Sequence, residues 1–363
     1  MAAHERDQQL VEPAHLSYVV RFAVSARCDP PRRAAATLDR KERRMAHSAE
    51  TKSAPGNTLI TQLLEGFDNL FGLHPGFRPV HAKGVMCSGT FTPAREANAL
   101  TRAPHVARPS TPVIVRFSDF TGLPAIADGD PNAAPRGMAV RFQLAEHVHT
   151  DIVAHSENGF PTRTGEEFLE FLRALAASGP NAAKPTPIES FLAAHAAARR
   201  FAEAPKPTPT SYARESYFGV SALRFTSQAG VSRYGRFRIH PLEGNEYLAA
   251  ADAAKMPANF LADELSQRLA KGPVKMRVMV QMAALGDELA DSTAVWPDDR
   301  PQTELGTIAV TARVNDAEPE MRKVIFDPIP RVDGIDPSDD PLFDVRAALY
   351  LLSGRRRRAA GAP

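Results

Sequence analysis

Cysteine is almost absent. Among 363 residues only Cys28 and Cys87 occur. Two thiols are too few for a disulfide framework or a zinc site, so both are read as unbridged. Charge of one sign is also missing: the formal net charge is +2, which gives no reason to expect nucleic acid or an anionic membrane as a partner. No apolar run is long enough to span a bilayer. The N-terminus has no apolar core of signal-peptide length, because LSYVVRFAV is short and interrupted by Arg21. There is no Walker A loop, no GxGxxG, no paired metal-ligand motif and no internal repeat. Together these absences lead to a cytoplasmic protein with neither a nucleic-acid nor a membrane partner.

What is present is the composition of a globular chain, 43% apolar and 24% charged, with length for one large domain or two ordinary ones. Residues 1–55 differ from the rest. Their stretch DPPRRAAATLDRKERRMAHSAETKSAPG mixes charge, proline and small residues without periodicity. That predicts a disordered extension with no function of its own, within which Met45 is a plausible alternative start. Residues 56–363 are expected to form the ordered core. Asn57 is placed to cap a helix whose residues Ile60, Leu63, Leu64, Phe67, Leu70 and Phe71 follow a helical spacing.

Strands dominate the chain after this helix. Val80 to Phe91 reads as a strand interrupted by glycine. TPVIVRFSDF alternates, with Val113, Val115 and Phe117 on one face and Ile114, Arg116 and Ser118 on the other. An arginine on an inward strand face needs an anionic partner. Met138, Val140 and Phe142 alternate in the next strand, and TDIVAHS comes after it. Residues 164–204 read as helical, with Thr164/Glu167 and Thr186/Glu189 as capping boxes and Phe168, Leu169, Phe171, Leu172 and Leu175 as one apolar face. Strands return in SYFGVSALRFTS and SRYGRFRIHPLE, succeeded by a helix near Asn259 to Leu269. The segment Val274–Met282 and the set Ile308, Val310, Ala312 and Val314 have clean two-residue periods. The simplest arrangement is an α+β fold, a nearly closed antiparallel barrel of about eight strands with helical insertions.

Near the end, PLFDVRAALYLLSGRRRR places Arg346 and Tyr350 one helical turn apart on the same face. Tyrosine is a weak ligand at neutral pH because its ordinary pKa is about 10, and a neighbouring cation favours the phenolate. Taken alone, this spacing is that of any amphipathic helix.

Four segments in order carry a family resemblance. These are RPVHAKG (His81), VRFS (Arg116, Ser118), DPNAAPRGMAVRF, and AVWPDDRPQTELGTI with FDPIPRVDGIDPSDDPLFDVRAALY after it. They resemble the haem catalases over roughly residues 58–358. The chain stops thirteen residues after Tyr350, so the compact catalase-related peroxidases, which lack a C-terminal helical domain, are the subgroup it looks like.

The resemblance implies a catalase-like core holding haem b. Tyr350 falls on the axial iron ligand, a mode of ligation that catalase uses, and Arg346 on its partner. His81 falls on the distal acid–base, suited by an ordinary pKa near 6.5 to moving a proton at neutral pH. Ser118 and Val80 fall in the distal pocket. Arg78, Arg116 and Arg357 fall on propionate-binding positions, where a planar guanidinium suits a carboxylate. The register of Arg357 is open within the run Arg355–Arg358. Phe168 falls where an aromatic stacks on the haem face. His155 departs from the family, since full catalases usually carry asparagine there. A histidine also donates a hydrogen bond but is larger and titrates, which implies slower disproportionation of peroxide and more peroxidase chemistry. The implied partners are hydrogen peroxide or an organic peroxide and a small-molecule reductant. A homo-oligomer is implied by the resemblance alone. Rival readings are a true catalase, an enzyme that rearranges fatty-acid hydroperoxides, and a non-catalytic haem carrier. His74, His105, His147, His149, His195, His240 and Cys87 are read as structural or surface residues.

Overall fold

A computed structural model of the chain describes residues 58–315 and 323–360. Asn57, Cys28, Met45 and the whole N-terminal extension lie outside the described residues. The chain opens with helix α1 (Leu59–Phe71) and runs through strands β1 (Gly84–Pro93), β2 (Thr111–Ser118), β3 (Gly137–Ala145) and β4 (Val148–His155). Helices α2 (Gly165–Ala177), α3 (Pro187–Ala194) and α4 (Ala196–Glu203) come next. Strands β5 (Tyr217–Phe218), β6 (Leu223–Thr226) and β7 (Ser232–Pro241) lead to helices α5 (Ala250–Ala253) and α6 (Phe260–Lys271). Strands β8 (Val274–Met282), β9 (Gln302–Val314) and β10 (Ile335–Pro337) precede the long closing helix α7 (Leu342–Ala359).

The strands close on themselves. The ring runs β1-β2-β3-β4-β5-β7-β8-β9 and back to β1, every pairing antiparallel. β6 and β10 extend it from the free half of β7. Closure removes the unpaired edges that an open sheet of this size would expose. The barrel is filled by inward residues from around the ring, including Val113, Val115, Phe117, Val140, Phe142, Val278, Ile308 and Val310, all nearly inaccessible.

Several local expectations shift. Thr58, not Asn57, caps α1, its side chain accepting from the Thr61 N–H. β1 begins at Gly84, so His81 lies in the loop before it rather than on a strand. The helical block from 164 breaks into three helices. Thr186 and Glu189 form a complete capping box, whereas the Glu167 carboxylate accepts from the Arg163 N–H instead of Thr164. SYFGVSALRFTS splits into β5 and β6. In β9 the alternation fails after Val310, because a bulge puts Thr311 out of register between Val310↔Gly89 and Ala312↔Ser88. One extra residue flips the faces. Ala312 is exposed, and Val314 packs on the outer face of the barrel beside Met86.

A second layer covers one outer flank of the barrel. Leu63, Leu64, Phe67, Leu70 and Phe71 of α1 pack with Leu169, Phe171, Leu172 and Leu175 of α2, with Ile188 and Phe191 of α3 and with Leu349 of α7. α7 is tied to α1 by a two-pronged Arg356–Asp68 ion pair. The segment 323–327 is stapled to the barrel by Arg141 and Asp151. They pair bidentately at 2.9 and 2.7 Å, and Arg141 also donates to the Ile325 carbonyl while Asp151 accepts from the Asp327 N–H. Among the described residues no helix is long and apolar enough to cross a membrane.

Candidate active site

Between the barrel's outer face and this second layer lies a cavity of about 1320 Å³, counted out to its mouth. His81, Ser118, His155, Arg78, Val80, Arg116, Phe168, Arg346, Tyr350 and Arg357 all line it. Every site residue expected from the sequence is therefore brought together, although they span some 280 positions of chain. Arg116 and Ser118 sit on the outer face of β2, opposite the inward Val115 and Phe117. The arginine is buried by the second layer and not by the barrel interior, as the alternation alone had implied.

α7 supplies one wall. Its N-terminus is held by Asp340, which accepts from the Leu342 N–H, and its last turn carries arginines that suit the negative end of a helix. Gly354 lets it approach the 323–327 segment closely, since a Cβ there would collide with Ile325 Cδ1. Arg346 Nη2 lies 3.5 Å from the Tyr350 hydroxyl. At one end of the cavity three guanidinium groups gather. Arg78 and Arg357 both donate to the Val324 carbonyl, at 3.3 and 2.9 Å, and Arg116 donates to the carbonyls of His81 and Ala82 at 2.9 and 3.3 Å. Burial, and then the nearby Arg116, lower Arg357 to about 10. Of the four consecutive arginines only Arg357 lines the cavity, while Arg356 pairs with Asp68.

The strands and the loop before β1 bring the two histidines to the same cavity. His81 is held in a left-handed conformation, φ 57°, by backbone bonds from His81 and Ala82 to the carbonyls of Phe120 and Thr121. Its Nδ1 lies 3.1 Å from Ser118 Oγ. Burial, and then Arg116, push His81 down to about 3, so the ring is neutral at neutral pH. Gly137 makes room for it: a Cβ there would lie 2.6 Å from Ser118 Oγ and 2.8 Å from His81 Nδ1. His155, at the end of β4, is likewise pushed down to about 3, by burial first and then by His81. Its Nδ1 faces the Glu157 N–H at 3.2 Å and accepts from it. A neutral ring with Nδ1 accepting carries its proton on Nε2 and presents a donor.

These residues fit a flat apolar cofactor with anionic arms: one phenol beside an arginine, an aromatic and aliphatic slot, and three crowded cations at one edge. The sequence comparisons agree. The catalase family model matches residues 74–362. The chain belongs to the catalase family. It is 35% identical over 316 residues to the catalase-related peroxidase of Mycolicibacterium paratuberculosis, covering 85% of this chain and 99% of that protein. It is 32% identical over 301 residues to the catalase-related peroxidase of Synechococcus elongatus, covering 82% and 88%. A Vibrio cholerae catalase is 27% identical over 299 residues, but this chain spans only 57% of it. A fungal catalase shares the fold at TM-score 0.68 and 20% identity, covering 81% of this chain and 62% of that one.

Beyond the residues that the catalase resemblance marks, the cavity has a wall that the sequence reading missed. Phe120, Phe160, Phe201 and Val220 line it beside the histidines. Phe120, Phe160 and Val220 come from loops, where periodicity carries no signal, and Phe201 from the short helix α4. Phe120 stands edge-on to His81 at 5.6 Å and Phe201 edge-on to His155 at 6.5 Å. Lys206 lies over the Phe201 ring and 3.7 Å from Glu157. Behind His81 the reading also missed a buried ionic group, Asp119 with Arg136, Asp128 and Lys83. The adjacency of Asp119 to Ser118 was its only available signal. The remaining histidines are structural or peripheral: His105 packs against Phe91 and Phe142, His195 stacks on Phe191, and His147 is exposed. Cys87 is buried in the barrel core.

Proposed function

We propose that this chain is a haem b peroxidase that reduces hydrogen peroxide or an organic hydroperoxide with electrons from a small organic donor, with weak disproportionation alongside. The observation that carries the proposal is that one cavity gathers a phenol–arginine pair, a neutral buried histidine and three arginines. Haem bound there supplies the iron at which the O–O bond breaks. Tyr350, with Arg346 Nη2 3.5 Å from its hydroxyl, would hold the iron through its phenolic oxygen. Arg78, Arg116 and Arg357 would hold the propionates, and Phe168 and Val80 would pack on the ring.

His81 would take a proton from one peroxide oxygen and return it to the other, which would depart as water or an alcohol. Ser118 orients the ring through Nδ1. His155 donates from Nε2 to the bound peroxide. The aromatic wall of Phe120, Phe160 and Phe201 favours an apolar hydroperoxide or donor over a small polar one. His155, larger than the asparagine usual in full catalases, is the reason the second, oxygen-releasing half of a catalase cycle is expected to be slow. The cytoplasm and a homo-oligomer are part of the same proposal.

The test is the optical spectrum of the purified protein with and without added haem, for wild type and Tyr350→Phe. A high-spin ferric tyrosinate-type spectrum, lost in the variant, is expected. Oxygen released per peroxide consumed then separates peroxidase from catalase, and a lipid hydroperoxide assay separates reduction from rearrangement. A protein that stays colourless with haem removes the proposal.

A further inference from the structure

Tyr212 lies inside the barrel, 1% exposed, in the short helical turn 212–214 just before β5. Its hydroxyl donates to Asp119 Oδ1 at 3.1 Å. Asp119 is fully buried, and its second oxygen, Oδ2, accepts no hydrogen bond among the described residues. The groups facing this carboxylate are Arg136, which pairs with Oδ1, Lys83 at 3.9 Å and Asp128, itself 2.5 Å from Lys83. Burial raises Asp119 to about 6 against the opposing pull of Arg136, which makes it a stronger base than an ordinary carboxylate. Burial also pushes the Tyr212 phenol well above its usual range, so it does not ionise on its own.

The ring of Tyr212 stacks on Phe117 at 5.5 Å with 16° between the planes. Phe117 stands between Arg116 and Ser118, both of which line the cavity. The phenol is thus one side chain across β2 from the cavity. A buried phenol paired with a buried base, one stacked ring and one strand away from the cavity, is suited to losing an electron and a proton together. Tyr217 offers no such pairing: its hydroxyl donates to the Tyr212 carbonyl, which is not a base. Tyr247 donates to Glu215 but is 41% exposed.

We propose that Tyr212 is a redox-active tyrosine of this protein, giving one electron to the peroxide-oxidised cofactor while its phenolic proton passes to Asp119. The O–H bond of Tyr212 breaks, a neutral phenoxyl radical remains, and Asp119 becomes a carboxylic acid. One of the two electrons that a peroxide needs for reduction is then supplied from within the chain. A small organic donor later returns an electron, and Asp119 returns the proton. The arrangement lets the oxidising equivalent wait in the barrel when no donor occupies the cavity. This rests on the peroxidase reading above.

The test is electron paramagnetic resonance of haem-loaded protein frozen soon after peroxide is added without a donor. Optical spectra of the same samples report haem binding and its reaction with peroxide separately. A tyrosyl signal whose splitting changes with ring-deuterated tyrosine is expected, lost in Tyr212→Phe and retained in Tyr217→Phe and Tyr247→Phe. High-field spectra of the wild type, taken without relying on any variant's folding, should show a phenoxyl oxygen hydrogen-bonded to the acid of Asp119, with a proton coupling removed by exchange into deuterium oxide. A signal that persists in folded Tyr212→Phe, a wild-type phenoxyl oxygen with no hydrogen bond, or a sample whose haem reacts with peroxide but gives no tyrosyl signal overturns the proposal and leaves the peroxidase reading standing. A chain that binds no haem overturns both.

Discussion

The two faces of β2 do different work. Its inward residues Val113, Val115 and Phe117 are 1% exposed or less and belong to one apolar cluster that fills the barrel. Its outward residues Arg116 and Ser118 are nearly as buried, yet they face a cavity and hold polar partners. The strand is one covalent object with a period of two, and that period sorts stability onto one side and chemistry onto the other. Burial alone does not tell the sides apart. What differs is whether the covering layer is the barrel itself, packed to closeness, or a separate layer of helices that leaves a slot.

Substitutions on the two faces should separate these roles. The largest effect is expected at the cavity face. Gly137→Ala drives a methyl group into Ser118 and His81, and loss of positioned acid–base catalysis should lower kcat/KM for peroxide by about 10²–10⁴-fold. Stopped-flow peroxide consumption at matched haem content measures it, and a change under tenfold breaks the assignment of His81. Phe117→Ala should act on the other side, lowering the unfolding free energy of the haem-free chain by about 3–5 kcal/mol in urea titrations. Arg116→Leu should reverse the pattern. Haem affinity should fall roughly 10–100-fold, as expected when a charged hydrogen-bond donor worth about 1.5–3 kcal/mol is removed, while unfolding in urea shifts less than for Phe117→Ala.

Acid sharpens the comparison further. His105, inside the barrel, is pushed down by burial to about 4. Its ordinary pKa of 6.5 applies in the unfolded chain. Below 6.5 the unfolded chain binds a proton that the folded chain refuses, so stability is complete above that pH and is lost as the pH falls towards 4. Wild type should therefore lose stability relative to His105→Phe by up to about 1.4 kcal/mol per pH unit across that window. His81 is also held neutral, and the rate of peroxide consumption should show no acid limb from it between pH 8 and 5. An imidazole titration near 6.5 in that profile would contradict its burial. The smallest expected effect is at His155→Asn. Oxygen released per peroxide should rise while peroxidase turnover persists, and an unchanged ratio removes the role given to that side chain.

The fold was legible wherever one period held. The inward set of β2, β3 and β8 was read from alternation alone, and the apolar faces of α1 and α2 from helical spacing. Reading failed where the chain changes direction or register. The bulge at Thr311 put Val314 on the opposite face, and the strand expected through His81 does not begin until Gly84 because Phe120 and Thr121 capture the backbone of residues 81 and 82. Within the cavity, His81, Arg116 and Tyr350 were readable because they sit in short motifs. Phe120 and Phe160 were not, since an aromatic in a loop has no period to mark its direction, and Phe201 lies on a helix of only 8 residues that the sequence reading did not separate from its neighbours. Asp119 was missed for a different reason, because a carboxylate beside a strand end looks like a turn residue until its buried arginine is seen.

The sequence by itself determined the family, the barrel's strand pattern and the residue types of the site, because local periodicity and short motifs are written within a few residues of each other. Only the tertiary structure decided that Arg357 and not its neighbours reaches the cavity, that His155 presents Nε2–H, and that Tyr212 meets Asp119. Each depends on groups far apart in the chain, brought together by closing the ring of strands and laying α7 across its outer face. A pairing of that kind is fixed by packing and by the need to satisfy buried polar atoms, and no local pattern encodes it.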